Sequence, residues 1–525
     1  MSLNSLSLED LALPTIVSHK LLLQANLKLE KDLQAFIDLY KHLPNAHHYW
    51  ATTYRHLRSD DLEGLALYYY VIGIIKFSLE NQPNIKIKLH CNFENYFAKY
   101  IRSNFPQVKV SVNSNLKDKI NYNFGPFKYI LKAYKYALKN VGDKSVLKNK
   151  VWLSMPIQPE KHRYKHLLNR IREEKVFYTG RLEDKINENN EAKSIRFEKE
   201  LGCKNLLNAF KKAFQLKQNL KQIHPNTLLN LEIRQNKIQH FWVMLLKEKA
   251  VEKAIKKYKP KSILYTTANT YPFARIISRQ AFLNNVPFIV VACRPMFINT
   301  RLEERLIEAD VKATNDAFVA NNFAVWDKFS KNTLVKAGVD KEKIFVVNQN
   351  KQLENSIAKV SLKNALLILF SHEEELNQRL VDELLKLDTK TSLIIRQHPL
   401  KKLTEKQNKQ LTAKFKITQD ITSQPYSKYE FTNVLAITIN STAVLEAAQH
   451  GCGVIWLPHL NSRSIIFYEI MQKIGKCFES ASELDDFLNS SSDVLLNFIE
   501  SCQIDYKELF ESEDETDQLI EALGL

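Results

Sequence analysis

Two apolar runs in the C-terminal half of the chain each end in a polar cluster, and this feature most constrains the fold. Residues 392–395 (SLII) precede Arg396-Gln397-His398-Pro399, and residues 434–439 (VLAITI) precede Asn440-Ser441-Thr442. Short runs rich in β-branched residues are typical of buried strands in a parallel sheet. Polar groups just beyond the carboxyl end of such a strand face the crevice where open α/β sheets bind ligands. The segment 393–458 is therefore predicted to form a ligand site.

Strand-like and helix-like segments alternate in two successive blocks. The first block has predicted strands at 85–89, 108–112, 151–154, 262–265 and 287–292, and the second has them at 365–370, 392–395, 434–439 and 453–457. Such alternation predicts an α/β fold with two Rossmann-like parallel-sheet domains facing a cleft. We predict a helical leader at 1–58, a first domain at 59–322 with a helical insertion at about 160–258, a second domain at 323–500 and a helical tail at 501–525.

The composition excludes several function classes. Only 11 of the 525 residues are Gly, and neither a dinucleotide-binding nor a P-loop glycine motif occurs, which argues against dinucleotide oxidoreductases and P-loop NTPases. The six cysteines are scattered without a C-x-x-C pair, so free thiols in a reducing compartment are expected. A D-x-D in strand context and a metal-ligand cluster are also missing, so no metal is predicted.

The chain shows no signal peptide, and its most apolar run, residues 65–77, is shorter than the roughly 20 residues that span a bilayer. A cytoplasmic protein is predicted. The net charge of +17 favours anionic partners such as nucleic acid, anionic lipid or an anionic substrate. Enrichment in Lys and Asn along the whole chain is an equally good explanation of that charge.

His398 and Pro399 form the first candidate motif. Proline disfavours α geometry at the preceding residue, so His398 stays extended at the strand end. Its imidazole can donate a hydrogen bond to a phosphate or a proton to a leaving phosphate. The alternative is a loop histidine without a role. Arg396, two residues earlier, shares the same face.

The second candidate motif is Asn440-Ser441-Thr442, between a strand and a predicted helix at 443–449. A Ser or Thr there is first of all a helix cap, yet free amides, the positive helix end and two hydroxyls also make an anion site. Glu446, one turn into the helix, can face a ribose or interact favourably with the helix dipole.

Together, strand-His-Pro and strand-Ser-Thr-helix-Glu, about 40 residues apart, resemble the donor half of GT-B glycosyltransferases. The resemblance is greatest to the bacterial sialyltransferases, polysialyltransferases and Kdo-type capsule transferases, which use CMP-activated acidic sugars. It covers about 200 residues. It implies a GT-B-like fold in which His398, Pro399, Ser441 and Thr442 engage the cytidine phosphate, with an inverting, metal-independent reaction and no cofactor besides the CMP-sugar donor.

Members of these families also carry an acidic pair followed by Gly, whose carboxylate deprotonates the acceptor hydroxyl. The nearest match here is Asp60-Asp61-Leu62-Glu63-Gly64, which has one extra residue before the Gly. Asp61 and Glu63 are both candidates for the base. A solvated acidic cluster at a helix start is the alternative.

Three more features are candidates for binding. Arg294 follows the predicted strand at 287–292 and could clamp a carboxylate or phosphate, with a surface role as the alternative. His459 follows the predicted strand at 453–457, where a donor-binding loop is expected. The helix at 126–139 interleaves Lys with Phe, Tyr and Leu, so it suits either core packing or peripheral contact with the anionic inner membrane.

The sequence hypothesis is a transferase that moves sialic acid, another nonulosonate or Kdo from a CMP-sugar to an oligosaccharide or lipid-linked glycan in bacterial surface polysaccharide synthesis. The alternatives are a CDP-glycerol-type polyol-phosphate transferase and a non-catalytic basic protein that binds glycan or RNA. The first lacks its second histidine here, because Ala292-Cys293-Arg294 occupies the expected place. The second lacks a recognisable RNA motif, so nucleic acid is not an expected partner.

Overall fold

The structure is a computed structural model. It describes part of residues 17–35 and then residues 65–91, 96–112, 127–131, 133–134, 148–154, 165–173, 175–178, 197–223, 227–265, 272–291, 322–336, 339–347, 359–371, 373–398, 401–422, 424–441, 443–460, 468–471 and 473–525.

Eight strands lie in the described part of the first two thirds of the chain. They are β1 (Lys88–Cys91), β2 (Lys109–Val112), β3 (Val151–Ser154), β4 (Lys175–Tyr178), β5 (Ser262–Tyr265), β6 (Phe288–Val291), β7 (Asn322–Val325) and β8 (Ile344–Val346). β1 and β2 form a separate two-stranded parallel sheet. The other six form a parallel sheet in the order β4-β3-β5-β6-β7-β8.

Eight helices with described bounds accompany these strands. They are α1 (Leu65–Asn81), α2 (Tyr96–Asn104), α3 (Lys165–Arg170), α4 (Cys203–Asn219), α5 (Leu228–Gln235), α6 (Ile238–Tyr258), α7 (Pro272–Leu283) and α8 (Lys328–Lys336). α4 and α7 both pack against α6. Every residue of β5 and β6 is buried, as expected for strands covered by helices on both faces.

The C-terminal third repeats the same architecture. Its strands are β9 (Val360–Leu369), β10 (Ser392–Arg396), β11 (Ile417–Asp420), β12 (Tyr429–Thr438), β13 (Gly453–Trp456) and β14 (Lys476–Cys477). Its helices are α9 (Glu374–Leu384), α10 (Glu405–Lys414), α11 (Ala443–Gln449), α12 (Tyr468–Met471), α13 (Ala481–Leu488), α14 (Ser492–Phe510) and α15 (Thr516–Ala522). The two six-stranded parallel sheets confirm the predicted α/β class.

The strand order of the C-terminal sheet determines where a ligand can bind. The order is β11-β10-β9-β12-β13-β14, and all pairs are parallel. Successive strands therefore run outward from β9 in one direction as far as β11, and then in the other direction from β12. This order is that of a doubly wound nucleotide-binding fold, in which ligands bind beyond the carboxyl ends of the strands where the direction reverses. In this sheet the reversal lies between β9 and β12.

The two central strands share a backbone irregularity. Asn364 in β9 has φ of 48° and Asn433 in β12 has φ of 54°, and both lie between the paired residues of a regular parallel register. The Asn433 side-chain amide donates to the Asn364 side-chain oxygen at 3.1 Å. Asn tolerates the left-handed region better than other residues with a Cβ. Beyond this point both strands are buried to their carboxyl ends.

Hydrogen bonding assigns several segments differently from the sequence expectation. We expected the second domain to begin at 323, but β7 pairs with β6 and β8 pairs with β7, at the edge of the first sheet. Within the predicted helical insertion at 160–258, β4 pairs with β3. Strand partners are chosen by non-local contacts, which is why local sequence patterns did not reveal these memberships.

The C-terminal residues return to the first sheet. α14 packs against β13 and α11 of the second sheet and against α8 of the first. α15 packs against β8 and α3. The turn before α15 is joined to β8, because Glu515 N–H donates to Val346 O at 2.7 Å. The predicted helical tail therefore packs against both sheets.

Asp327 begins α8 in the passage between the two blocks. Its carboxylate accepts hydrogen bonds from the Ser330 backbone N–H at 2.6 Å and the Ser330 hydroxyl at 3.0 Å, as a helix N-cap does. The side chain is buried, and this burial raises its pKa to about 6. In the part of the chain described above, no helix combines the length and the apolarity needed to cross a bilayer.

Candidate functional site

The carboxyl ends of β10 and β12 lie at the same level of the C-terminal sheet. Arg396 at the end of β10 and Thr438 at the end of β12 are both in register with Leu369 of β9, which lies between them. The polar residues that follow these two strands therefore meet at one edge, on either side of the reversal point. The sequence predicted this meeting from the two motifs.

Arg396 connects the two sides of this edge. One guanidinium nitrogen donates to the carbonyl of Gln424 at 2.7 Å, and the other lies 4.0 Å from a carboxylate oxygen of Glu446 on α11. The guanidinium carbon also lies 4.1 Å from the centre of the Tyr426 ring. Both members of the ion pair are partly exposed, with side-chain accessibilities of 20% for Arg396 and 31% for Glu446. A cation and a carboxylate are thus accessible at the reversal point.

Tyr426 is the largest contributor to this site that sequence reasoning missed. Its ring is buried beneath the Arg396 guanidinium and stacks on His450 at the end of α11, with centroids 5.9 Å apart. Burial raises the pKa of its phenol, so the ring stays neutral. The tyrosine lies in a turn between β11 and β12 without a distinctive motif, and only the tertiary structure brings it beneath Arg396.

His398 lies in the loop that leaves β10, and its side chain is partly buried. Its carbonyl accepts a hydrogen bond from Lys401 N–H at 3.0 Å. Lys401 in turn pairs with Glu374 of α9 at 2.6 Å. Gln397 fastens the same loop to its neighbours, since its side chain donates to Asp420 at 2.9 Å and accepts from Leu403 N–H at 2.7 Å. The loop that carries His398 is therefore held between α9 and β11.

Asn440 and Ser441 connect β12 to α11. The buried Thr438 hydroxyl accepts a hydrogen bond from Ser441 N–H at 3.0 Å and donates to Leu369 O at 3.3 Å. The Ser441 hydroxyl accepts from Ala443 N–H at 3.4 Å, so it caps the start of α11 in this structure. Thr438 is a second residue that the sequence did not identify. It attaches the Ser441 turn to the central strand.

Five predicted site residues lie outside the described part of the chain. They are Asp61, Glu63, Arg294, Pro399 and Thr442. Arg396, His398, Asn440, Ser441 and Glu446 all follow or end a strand at this edge, and the contact described among them joins Arg396 to Glu446. The roles assigned to these ten residues remain predictions.

The loop between β9 and α9 completes the edge on its other side. Ser371 follows β9, and its backbone is held by the Asn377 side chain, which accepts from Ser371 N–H at 2.8 Å and donates to Ser371 O at 3.0 Å. Asn377 is buried in α9, so the loop shape is set from within the core. These two hydrogen bonds fix the backbone beside the reversal point. The sequence pattern did not predict them.

His459, which follows β13 where the sequence analysis placed a loop near the ligand, forms a structural link. One ring nitrogen is 2.9 Å from Phe478 O and the other is 2.9 Å from a carboxylate oxygen of Glu383 in α9. The ring therefore bridges α9 and the segment that follows β14. The hydrogen bond from His459 lowers the pKa of Glu383 to about 2, against the opposing effect of burial.

Several other chemistries lack residues in the described part of the chain. There, no group of three His, Cys, Asp or Glu side chains is placed to hold a metal ion. Four free cysteines are described: Cys203, Cys452, Cys477 and Cys502. Burial raises the pKa of the Cys477 thiol to about 12 and that of Cys502 to about 11, so both stay protonated and unreactive at neutral pH.

Comparison with known proteins gives matches only among solved structures. No protein-family profile and no curated protein matches the sequence. Similar structures include MurG of Acinetobacter baumannii (12% identity, 71% of this chain and 99% of that one, TM-score 0.43) and the wall teichoic acid polymerase TagF (10%, 76% and 97%, 0.40). Another is the UDP-GlcNAc 2-epimerase of Methanocaldococcus jannaschii (15%, 72% and 99%, 0.37). At these identities the similarity does not identify a substrate.

Proposed function

We propose that the protein is a glycosyltransferase that moves an acidic sugar from a CMP-sugar donor to a saccharide acceptor. The observation that carries the proposal is the pairing of Arg396 with Glu446 at the strand-order reversal of the C-terminal sheet. The pair joins a residue of each sequence motif, and it would offer a cation to a phosphate and a carboxylate to ribose hydroxyls. The sequence resemblance to CMP-sugar transferases supplies the donor class.

The donor phosphate would lie between the end of β10 and the start of α11. The guanidinium group of Arg396 can donate hydrogen bonds to phosphate oxygens. The Tyr426 ring beneath it limits the rotation of the Arg396 side chain. Ser441, Thr442 and the Asn440 turn would add hydroxyl and amide donors. His398, held extended by Pro399, would protonate or hydrogen-bond the departing phosphate. Glu446 would accept from the ribose hydroxyls.

Transfer would be a direct displacement at the anomeric carbon. A carboxylate, either Asp61 or Glu63, would take the proton from the acceptor hydroxyl. The acceptor oxygen would then bond to the anomeric carbon as the bond to the CMP phosphate oxygen breaks, and the configuration would invert. Arg294 would clamp a carboxylate or phosphate of the donor. CMP would leave with the bonding electrons, and its negative charge would be stabilised by Arg396 and His398 without a metal.

The acceptor would be an oligosaccharide or lipid-linked glycan of a bacterial surface polysaccharide. The net charge of +17 would favour an anionic donor and an anionic glycan. Sialic acid, another nonulosonate or Kdo would fit the proposed donor class, because each is acidic and is activated as a CMP-sugar.

Thermal unfolding with added nucleotides tests the donor site. A ligand at 100 times its Kd stabilises the folded state by about 2.7 kcal/mol, which raises Tm by several degrees. CMP and CDP are expected to raise Tm, whereas UDP, GDP and ADP leave it unchanged. A rise with UDP alone, or with none of the five, would refute the cytidine site.

Turnover assays separate the two cytidine-dependent reactions. The proposal expects CMP release from a CMP-sugar only when a glycan acceptor is present. Release of CMP from CDP-glycerol would refute the proposed sugar transfer and indicate polyol-phosphate transfer instead. Cytidine binding without any turnover would indicate a non-catalytic protein. His398→Ala is expected to lower the turnover rate while CMP still raises Tm. Undiminished transfer in that variant would remove His398 from the leaving-group role.

A further inference from the structure

α4 has an apolar stripe on its solvent side. Leu207, Phe210 and Phe214 recur at helical spacing and are 56%, 38% and 51% exposed. Two of the three are phenylalanines, whose large apolar rings are usually buried. An adjacent face of the helix, with Leu206, Ala209, Ala213 and Leu216, is buried against the protein. Each residue of the stripe stays at least 38% exposed, although Phe210 also contacts Trp242. Contiguous exposed apolar surface of this kind marks interaction sites.

The stripe is held in place from below by α6. Phe210 makes an edge contact with the Trp242 ring, with centroids 4.9 Å apart. The indole N–H of Trp242 donates to Leu206 O at 3.1 Å, which joins the two helices at this level. The aromatic side chains therefore project from a supported helix and need no rearrangement to meet a partner.

Charge distinguishes the surroundings of the stripe. The sequence of α4 contains four lysines and no Asp or Glu. Lys204 and Lys211 are exposed and lie three residues before and four residues after Leu207, which makes them its neighbours on the helix surface. An apolar stripe bordered by lysines is complementary to a surface with an apolar interior and an outer layer of anionic groups.

A second cluster of positive charge lies at the carboxyl end of α4. The Lys217 ammonium donates to the carbonyls of Arg234 and Asn236, at 3.1 and 2.7 Å. Burial and the nearby charges of Arg234 and Lys237 lower its pKa.

Helical residues 127–131 and 133–134 repeat this pattern beside α6. Phe127, Leu131 and Tyr134 are exposed at helical spacing, and Lys128 is exposed among them. The neighbouring Tyr129 ring contacts Lys247 of α6 at 5.1 Å. α6 thus contacts two segments that each combine exposed apolar side chains with lysine.

We propose that the apolar stripe of α4, formed by Leu207, Phe210 and Phe214, docks on an anionic lipid bilayer. The three side chains enter the boundary between headgroups and acyl chains, and Lys204 and Lys211 contact anionic headgroups. Binding of this type scales with buried apolar area plus attraction to anionic lipid. The proposal is independent of the donor site, since α4 belongs to the first block of the chain and the donor site to the C-terminal sheet.

The full-length protein is tested by flotation with vesicles of phosphatidylcholine alone and of phosphatidylcholine with phosphatidylglycerol as about one lipid in three. Binding is expected only to the anionic vesicles and to weaken as salt screens the charges. Changing Leu207, Phe210 and Phe214 together to Ser is expected to lower the partition coefficient by at least about tenfold. Changing Lys204 and Lys211 to Glu is expected to lower it by about tenfold or more.

α14 provides a matched control. Val494, Leu496 and Ile504 are 47%, 38% and 64% exposed, much like the α4 stripe. The helix around them has four acidic residues and one lysine, so its charge is opposite. Changing these three to Ser is expected to leave vesicle binding unchanged. Equal loss in both triple variants, or equal binding to neutral vesicles, would overturn the proposal.

A fluorescent label on Cys203 reports the depth of docking directly. This exposed thiol lies one turn before Leu207. An environment-sensitive dye there is expected to shift to the blue with anionic vesicles, and the Cys203→Ser protein identifies signal from other cysteines. Sedimentation velocity tests the rival occupant, a second copy of the chain. If the stripe variant converts a dimer to a monomer and the unaltered protein ignores vesicles, the stripe is a subunit interface and the proposal fails.

Discussion

The Arg396 guanidinium lies over the Tyr426 ring, with its carbon 4.1 Å from the ring centre. Cation–π contacts of this kind contribute about 0.5–2 kcal/mol, with more when water is excluded. The ring is buried and also stacks on His450, so the platform is rigid. Arg396 is thereby oriented toward Glu446 before any ligand arrives.

The Tyr426 hydroxyl gives a first prediction, because it is buried and has no hydrogen-bond partner among the described residues. A buried unpaired polar group costs about 1–3 kcal/mol. Tyr426→Phe keeps the platform and removes that group, so the free energy of unfolding is expected to rise or stay unchanged. Tyr426→Leu removes the aromatic face and is expected to lower it by about 1–3 kcal/mol. Urea denaturation measures both, and a clear loss of stability in the Phe variant would contradict the account.

Arg396 itself gives the second prediction. Arg396→Lys keeps the charge but loses the planar fork of donors, and a lost charge-assisted hydrogen bond costs about 1.5–3 kcal/mol. The Kd for CMP, measured by calorimetry, is therefore expected to rise by about 10- to 100-fold. Lys409→Ala is the control, since that lysine is exposed and pairs only with Glu405 among the contacts described. Unchanged CMP affinity in Arg396→Lys would show that the Arg396–Glu446 pair takes no part in donor binding.

The sequence predicted the strands of the C-terminal sheet well where they are buried. The runs at 392–395, 434–439 and 453–457 correspond to β10, to the second half of β12 and to β13. The first half of β12 escaped notice because it alternates buried and exposed residues around Glu430. Burial on both faces imposes a continuous apolar pattern, whereas exposure on one face leaves a weaker signal.

Only the site residues that end or directly follow a strand could be predicted from the sequence. A strand end followed by a polar residue is a local signal, so Arg396, His398 and Ser441 could be named from the sequence. Asn377 and Thr438 act on residues nearby in sequence, but a single buried Asn or Thr gives no distinctive pattern. Tyr426 could not be named, because only the tertiary structure brings it beneath Arg396. The membership of β7 and β8 in the first sheet has the same origin, since strand pairing is decided by contacts far apart in sequence.

Glu383 gives a prediction about pH. Its pKa is about 2 in the folded protein and about 4.5 when unperturbed, so its carboxylate contributes stability above pH 5 and loses it as the pH falls toward 2. Glu383→Gln is expected to lower the free energy of unfolding at pH 7 by about 2–3 kcal/mol. The difference from the unaltered protein should shrink steadily below pH 5.

The exposed Glu405→Gln variant is the control for this pH effect, because surface ion pairs contribute only about 0–1 kcal/mol. Urea unfolding at a series of pH values from 7 to 3 provides the comparison. The contrary outcome is a difference in unfolding free energy between the unaltered protein and the Glu383→Gln variant that stays constant across this range. The hydrogen bond between His459 and Glu383 would then not require the ionised carboxylate.

Glu515 joins the C-terminal residues to the first sheet. Its carboxylate accepts from Val346 N–H at 2.7 Å and pairs with Lys331 of α8 at 2.7 Å, with both side chains largely buried. The same turn is closed by Glu515 N–H donating to Val346 O. One side chain thus satisfies an edge-strand amide and a lysine together.

Glu515→Ala is expected to lower the free energy of unfolding by about 1–3 kcal/mol, because it leaves the Val346 amide and Lys331 without their acceptor. Glu515→Gln retains an acceptor for the amide and should cost less. Hydrogen exchange distinguishes a local effect from a general one: the amides of β8 should exchange faster in the Ala variant, while those of β10 stay protected. Equal acceleration in both strands would mean that the two sheets unfold as one unit and that Glu515 stabilises the whole chain, since a purely local attachment could not deprotect β10.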